Sequence, residues 1–313
     1  MAQIRFCNIN CALRSKTALG VSQTMYEDLN IQWFPGHMTK ARRMIAESLK
    51  MVDAVCEVID ARIPNSSRNP DLDAIAGAKP RLIVLNRMDQ ADPGATKEWH
   101  SLFRENGATV LETDSKSGVG VGGFTAAVRT LLAEKIALYA SKGQIGRQLR
   151  VMVVGIPNVG KSSLINRIAK RKATTTSDRP GVTRGKQWIS IENGLEILDT
   201  PGVLWPKFED RIVAENLAFT GAIRDEVIDL ESLGVNFMSR MKELYPNRII
   251  NRFKVEIQDD TSGFDLLTQA AKNRGFLLSG GEIDTGRMAA VLLDEFRGGI
   301  LGRMTLEYPD KQT

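Results

Sequence analysis

The 313-residue chain carries 42 Lys+Arg against 37 Asp+Glu, a net charge of +5, and is 42% hydrophobic, the composition of a globular protein long enough for two domains. No apolar run approaches the ~18–20 residues of a helical membrane span. Cys7, Cys11 and Cys56 form no disulfide framework, and His37 and His100 without a C-x-x-C pair make no zinc site, so the chain reads as a reduced, cytoplasmic protein.

Residues 1–26 hold Arg5, Arg14 and Lys16 but no acidic residue. The expectation is a disordered extension through residue 28, or a start codon set upstream of Met25, with a transit peptide as the competing reading. From His37, Met38, Ala41, Ile45, Leu49 and Val52 recur at helical spacing among Lys40, Arg42, Arg43 and Lys50. Buried-type strands are expected over 54–59, 81–85 and 108–111, a polar loop over 62–70, and helices near 95–106 and 121–140. A strand over 149–154, a helix over 161–169 and two strands within 187–199, around Asn193-Gly194, follow. Strands alternating with helices imply an α/β fold whose mainly parallel sheet is covered on both faces. Beyond Pro206 the pattern turns helical, near 210–222, 227–245, 262–275 and 284–297. The expected organisation is therefore a first domain over 29–206 and a smaller, mostly helical domain over 207–313.

The strongest chemical signal is Gly155-Ile156-Pro157-Asn158-Val159-Gly160-Lys161-Ser162, a complete G-x-x-x-x-G-K-S phosphate loop between a strand and a helix. Its glycines let backbone N–H groups surround phosphate oxygens. Lys161 supplies a point charge to the β- and γ-phosphates, and the Ser162 hydroxyl is a Mg²⁺ ligand. Asn158, Val159, Gly160 and Ser163 complete the expected nucleotide contacts of this loop. Ile197-Leu198-Asp199-Thr200-Pro201-Gly202 ends a strand in D-x-x-G, 38 residues after Lys161. There Asp199 can hold Mg²⁺ through water and the Gly202 N–H can sense a γ-phosphate. Between them, Thr183 of Pro180-Gly181-Val182-Thr183 is the expected loop threonine that joins the Mg²⁺ shell, with Thr174, Thr175 and Thr176 as competitors. Leu82-Ile83-Val84-Leu85-Asn86-Arg87-Met88-Asp89 resembles the N-K-x-D guanine motif of GTPases. Asp89 would accept from guanine N1–H and the 2-amino group, Asn86 would bond the base and tie neighbouring loops, and the Arg87 side chain would cover the purine face. Thr113-Asp114-Ser115-Lys116 resembles the S-A-K loop, whose backbone N–H meets guanine O6. In ordinary GTPases the phosphate loop comes first and the base motifs last. Here the base motifs precede it, so the domain reads as a circularly permuted P-loop NTPase, an arrangement that adjacent termini permit.

Trp33-Phe34-Pro35-Gly36-His37-Met38, the stretch from Asp60-Ala61-Arg62-Ile63-Pro64 to Ser66-Ser67-Arg68-Asn69-Pro70, the phosphate loop, and Asp199-Thr200-Pro201-Gly202-Val203-Leu204-Trp205-Pro206-Lys207 together closely resemble the ribosome biogenesis GTPase A (YlqF) family. The likeness runs from about Ile31 to the C-terminus, takes in Leu278-Ser279-Gly280-Gly281, and leaves out residues 1–28. It implies a GTP- and Mg²⁺-dependent factor that binds the precursor of the large (50S) ribosomal subunit and leaves after hydrolysis. Val203 stands where many GTPases carry a water-orienting Gln. The resemblance therefore makes His37 the catalytic candidate, against a bland reading as an exposed residue of the helix N-terminus. It also makes Asn158 a ligand for a stimulating K⁺, which could replace an arginine finger worth roughly 10³–10⁵ in rate.

The positive charge is unevenly spread: residues 1–206 carry a net +9 and residues 207–313 a net −4. Within 167–186, Arg167, Lys170, Arg171, Lys172, Arg179, Arg184 and Lys186 face Asp178 alone. With the basic helix at 40–50, this run is expected to meet rRNA phosphates, which position a protein without reading sequence. A cytoplasmic monomer working on the large subunit is the favoured reading. A mitochondrial large-subunit assembly GTPase and a poorly hydrolysing GTP-binding scaffold are the alternatives.

Overall fold

The computed structural model describes residues 36–169, 187–191, 194–202 and 210–309, and the side chains among them other than those of 36–42 and 71. All of these belong to one compact unit, Ile31–Thr313. Six strands form a single sheet: β1 (Ala54–Asp60), β2 (Arg81–Asn86), β3 (Thr109–Glu112), β4 (Leu149–Gly155), β5 (Gln187–Ile191) and β6 (Leu195–Asp199), in the order β3-β2-β1-β4-β6-β5. Every pairing is parallel except β5 with β6, the hairpin at one edge. All seven residues of β1 are buried, as a near-continuous apolar strand in the middle of a doubly covered sheet should be.

Helices α1 (Gly36–Leu49), α2 (Pro70–Ala76) and α3 (Pro93–Glu105) cover one face. There Ile45, Leu49, Leu72 and Ala76 pack on Val55, Met152, Val154 and Leu198, and Trp99 and Phe103 pack on Ile59, Ile83 and Leu85. The alternate set, Cys56, Val58, Leu82, Val84, Val151 and Val153, is equally buried. It faces the side of α4 (Phe124–Leu131) and α6 (Lys161–Ile168), which contact β2–β3 and β4–β6 respectively. The single helix expected over 121–140 is two, α4 and α5 (Ala133–Ser141), broken at Leu132, whose side chain is buried. Helix α2 starts at the end of the expected 62–70 loop and runs through residues given no element from the sequence, since seven residues are too few to display a 3.6-residue period.

The chain steps outward from β1 to β2 to β3, then returns across β1 to lay down β4 on its other side. The crevice between the carboxyl ends of β1 and β4 is therefore the topological switch point, where open α/β sheets bind ligands.

Beyond the sheet lie α7 (Arg211–Phe219), α8 (Leu230–Leu244), α9 (Pro246–Phe253), α10 (Gly263–Asn273) and α11 (Thr285–Arg297). Asp210, Asp229, Ser262 and Asp284 cap four of them through side-chain bonds to the first turn. Helix α9 was not expected; Pro246 at its first position ends α8 and restarts the helix in a new direction. Phe237 of α8 stacks between Phe219 and Phe296, at 4.9 and 4.8 Å between ring centroids.

The helical part meets the sheet at Arg62, which is 1% exposed. Its guanidinium grips Asp60 through Nε (3.0 Å) and Nη2 (2.7 Å), donates from Nη1 to the Phe296 carbonyl and lies 5.0 Å over the Phe296 ring. Burial works to raise the Asp60 pKa, but Arg62 and then Arg87 hold it below the ordinary carboxylate value. Removing one partner of a buried pair strands the other charge. Arg62→Leu is expected to cost about 3–5 kcal/mol in thermal or urea unfolding. Because the Asp60 pKa is depressed on folding, its contribution is present above the ordinary carboxylate range and fades as pH falls below about 4. Asp60→Asn should flatten that part of the stability curve.

Candidate functional site

The phosphate loop leaves β4 at Gly155, where a Cβ would lie 2.6 Å from the Val58 carbonyl of β1. Asn158 and Gly160 both adopt positive φ, 60° and 91°. Gly160 is the N-cap of α6 and offers no side-chain cap, so the first N–H groups of that helix stay open to an anion. Val159 is buried, Ser162 half-buried and Ser163 exposed. Lys161, 6% exposed, ion-pairs with Asp199 at the end of β6. The charge expected at the phosphates and the carboxylate expected at Mg²⁺ thus sit against each other. Thr200 donates to the Val153 carbonyl at 2.8 Å, and a Cβ on Gly202 would lie 3.1 Å from Pro157. D-x-x-G therefore runs along the phosphate loop.

Asn86, at the end of β2, joins three segments. Its Nδ2 donates to the Val159 carbonyl at 2.8 Å, while its Oδ1 accepts from Thr113 Oγ1, Ser115 N and Ser115 Oγ at 3.1, 3.1 and 2.7 Å. Gly160 must be glycine for this to work, because a Cβ there would fall 2.3 Å from Asn86 Nδ2. Arg87 takes φ +61° and turns its guanidinium to the Asn158 carbonyl (2.9 Å), with Nε 3.6 Å from Asp60. Its charged end thus serves the phosphate loop and the sheet. Burial lowers its pKa against the pull of Asp60. Asp89 is exposed two residues on.

The 113–116 loop is held from within. Asp114 Oδ1 accepts from Lys116 N at 2.8 Å and Oδ2 from Ser117 N at 3.2 Å. Desolvation raises the Asp114 pKa, but these bonds, with the Ser117 hydroxyl, hold it below its usual value. The Ser115 and Lys116 N–H groups point at Asn86 and Asp114.

Among the described residues no group of three or more His, Cys, Asp or Glu could hold a metal. Asn158 engages the Gly221 carbonyl at the end of α7 through its amide nitrogen. His37 occupies the first turn of α1, and its side chain lies outside the described residues, as do Thr183 and Val203 and all of 170–186. Of the basic helix, Arg43 is exposed beside Glu47 and Lys50 is exposed.

Residues 150–253 match the family described as 50S ribosome-binding GTPase. Ribosome biogenesis GTPase A of Bacillus cereus is 47% identical over 282 residues, covering 90% of this chain and 95% of that protein. The protein of the same name from Priestia megaterium is 44% identical over 285 residues, with 90% and 98% covered. This chain belongs to the ribosome biogenesis GTPase A family. The structure of GNP-bound YlqF from T. maritima superposes with a TM-score of 0.60 at 28% identity, covering 87% of this chain and 99% of that one. The P-loop GTPase fold of the family, with its base strand β2 ahead of the phosphate loop, is thus the fold found here.

Sequence reasoning singled out Asn86 but not the groups behind it. Asp60 and Arg62 entered only through the family-like stretch, with no role attached. Nothing pointed to Glu307, whose carboxylate accepts from Asn65 N (2.8 Å), Ser66 N and Asn216 Nδ2 (3.0 Å) across more than 90 residues of sequence. A family member with Gly160→Ala should keep its melting temperature within a few degrees yet lose nucleotide affinity by more than tenfold. The left-handed φ and the collision with Asn86 both fall inside the loop. Titration with a fluorescent guanine nucleotide checks this.

Proposed function

We propose that this GTPase couples GTP binding and hydrolysis to a late step in assembly of the large ribosomal subunit, binding the pre-50S particle with GTP and leaving after hydrolysis. The observation that carries the reading is the Asn86 junction, which brings an N-R-x-D base motif and a phosphate loop into one site although they lie in reversed order along the chain. The family named after ribosome biogenesis supplies the process.

In this reading Asp89 accepts from guanine N1–H and the 2-amino group, Asn86 orders the site, and Arg87, Asp114, Ser115 and Lys116 flank the base. Residues 158–163 and Gly202 line the phosphates, where Lys161 leaves Asp199 to supply positive charge. Ser162, Thr183 and Asp199 hold Mg²⁺, which neutralises charge developing on the phosphate oxygens. Val203 cannot orient water, so His37 takes that task. Asn158 would hold K⁺ through its side-chain oxygen. The segment 203–209 links D-x-x-G to α7, and Asn216 of α7 bonds Glu307 and Ser66. A change at the γ-phosphate therefore has a covalent path into the helical part, 207–313, which we assign to the particle. Residues 167–186 and the helix at 40–50 supply rRNA phosphate contacts, with the chain acting as a cytoplasmic monomer. No helix among the described residues is long and apolar enough to cross a membrane.

Co-sedimentation with 30S, 50S and immature 50S particles tests the function. Retention on 50S-type particles with a non-hydrolysable GTP analogue, and release with GDP, is expected; equal retention on 30S, or none on 50S, overturns it. His37→Ala is expected to lose particle-stimulated turnover while GDP affinity stays within about twofold, and Asn158→Ala to lose stimulation by K⁺ over Na⁺. Full stimulated turnover in either variant removes that residue from the mechanism.

A further inference from the structure

The turn that presents Asp89 has little support from its own strand. Beyond β2 its internal bonds are Gln90 N to the Arg87 carbonyl at 2.9 Å and Arg87 Nη1 to Gln90 Oε1 at 3.4 Å, and Met88 N reaches the Thr113 carbonyl beyond β3 at 3.2 Å. The carbonyls of Met88, Gln90 and Ala91 and the N–H of Asp92 are met by residues more than 200 positions away. After α11 the chain turns at Gly299 and Gly302, both at positive φ, and runs back across the ends of β1 and β2. Arg303 donates from Nη2 to the Met88 carbonyl and from Nε to the Ala91 carbonyl, each at 2.9 Å. Met304 N donates to the Gln90 carbonyl at 2.8 Å. Thr305 Oγ1 accepts from Asp92 N at 3.1 Å and donates to the Ala61 carbonyl at 3.2 Å. Leu306 N donates to the Arg62 carbonyl at 2.8 Å.

The residues on either side of Asp89 are thus held by consecutive residues of one strap, Met88 by Arg303 and Gln90 by Met304. Asp89 itself is exposed and carries no bond to the strap. The strap is anchored at its far end by Glu307 on Asn65 and Ser66, by the Trp99 indole on the Glu307 carbonyl at 3.0 Å, and by the Tyr245 hydroxyl on Thr305. Met304, Thr305 and Leu306 are buried, whereas Arg303 is exposed and its loss removes no core packing.

We propose that the strap formed by Arg303, Met304 and Thr305 is a positioning element for guanine recognition, setting the place of Asp89 from behind. Arg303 acts through the Met88 and Ala91 carbonyls and is a positioning residue that touches no nucleotide. The inference rests on the reading of Asp89 as the acceptor of the guanine 2-amino group. A carboxylate held in register discriminates sharply between a base that offers that group and one that lacks it, because a misplaced acceptor forfeits a charge-assisted bond.

The test uses the full chain and compares binding of GDP with that of inosine diphosphate, which lacks the 2-amino group, by calorimetry. For Arg303→Ala, GDP affinity is expected to fall about tenfold and affinity for inosine diphosphate, which keeps only the N1–H bond to Asp89, about threefold, with the thermal midpoint kept. Arg303→Lys, which restores one donor, should recover part of the discrimination. If both nucleotides weaken by the same factor in Arg303→Ala, or neither weakens, the strap is only a structural tie and the proposal fails. Asp89→Ala run in parallel separates the two readings. If it abolishes discrimination while Arg303→Ala does not, the strap proposal alone is overturned; if it leaves discrimination intact, the guanine reading falls and the strap proposal with it.

Discussion

The ion pair between Asp60 and Arg62 is the constraint on which the rest of the structure hangs. It stands at the carboxyl end of β1, the central strand, beside the point where strand order reverses. A carboxylate and a guanidinium enclosed together cannot separate without stranding a charge in a low-dielectric interior. Each also has a further neighbour: Arg87 approaches Asp60, and Phe296 sits under Arg62. One pair thus ties the base motif, the middle of the sheet and the last helix.

Around that anchor the nucleotide site is built by short-range satisfaction of backbone groups. Asn86 uses both ends of its amide to join the phosphate loop to the 113–116 loop, and Arg87 adds a second link to the Asn158 carbonyl. Two loops that open from different strands become one rigid rim. The Lys161–Asp199 pair shows the charge balance of that rim: cation and anion neutralise each other.

The permutation gives these contacts a mechanical consequence. The helical part is held to the sheet through Arg62, the 303–307 strap and the Asn158–Gly221 bond, all at the nucleotide end. Arg297 adds bonds to the Ala218 and Phe219 carbonyls and to Asp225, closing α11 onto the end of α7. The phosphate and base loops and the helical part therefore share the same few hydrogen bonds.

Local signals were enough for the parallel α/β core, for the phosphate loop, D-x-x-G and N-R-x-D, and for their reversed order, because each depends on residue type and spacing over fewer than about ten positions. The same signals failed where length or context ruled: α2 is too short to show a period, Leu132 leaves helical geometry at φ −104°, ψ 17° and splits a helix, and Pro246 begins a helix where a break was expected. What only the tertiary structure decided is how distant residues meet: Asp114 turning the base-loop N–H groups inward, Arg87 facing the phosphate loop, and Glu307 and Arg303 reaching back to loops that fold more than 200 residues earlier. A sequence records which groups can bond, but partners so far apart are chosen by the path of the backbone, and a buried polar group accepts whichever partner that path brings within reach.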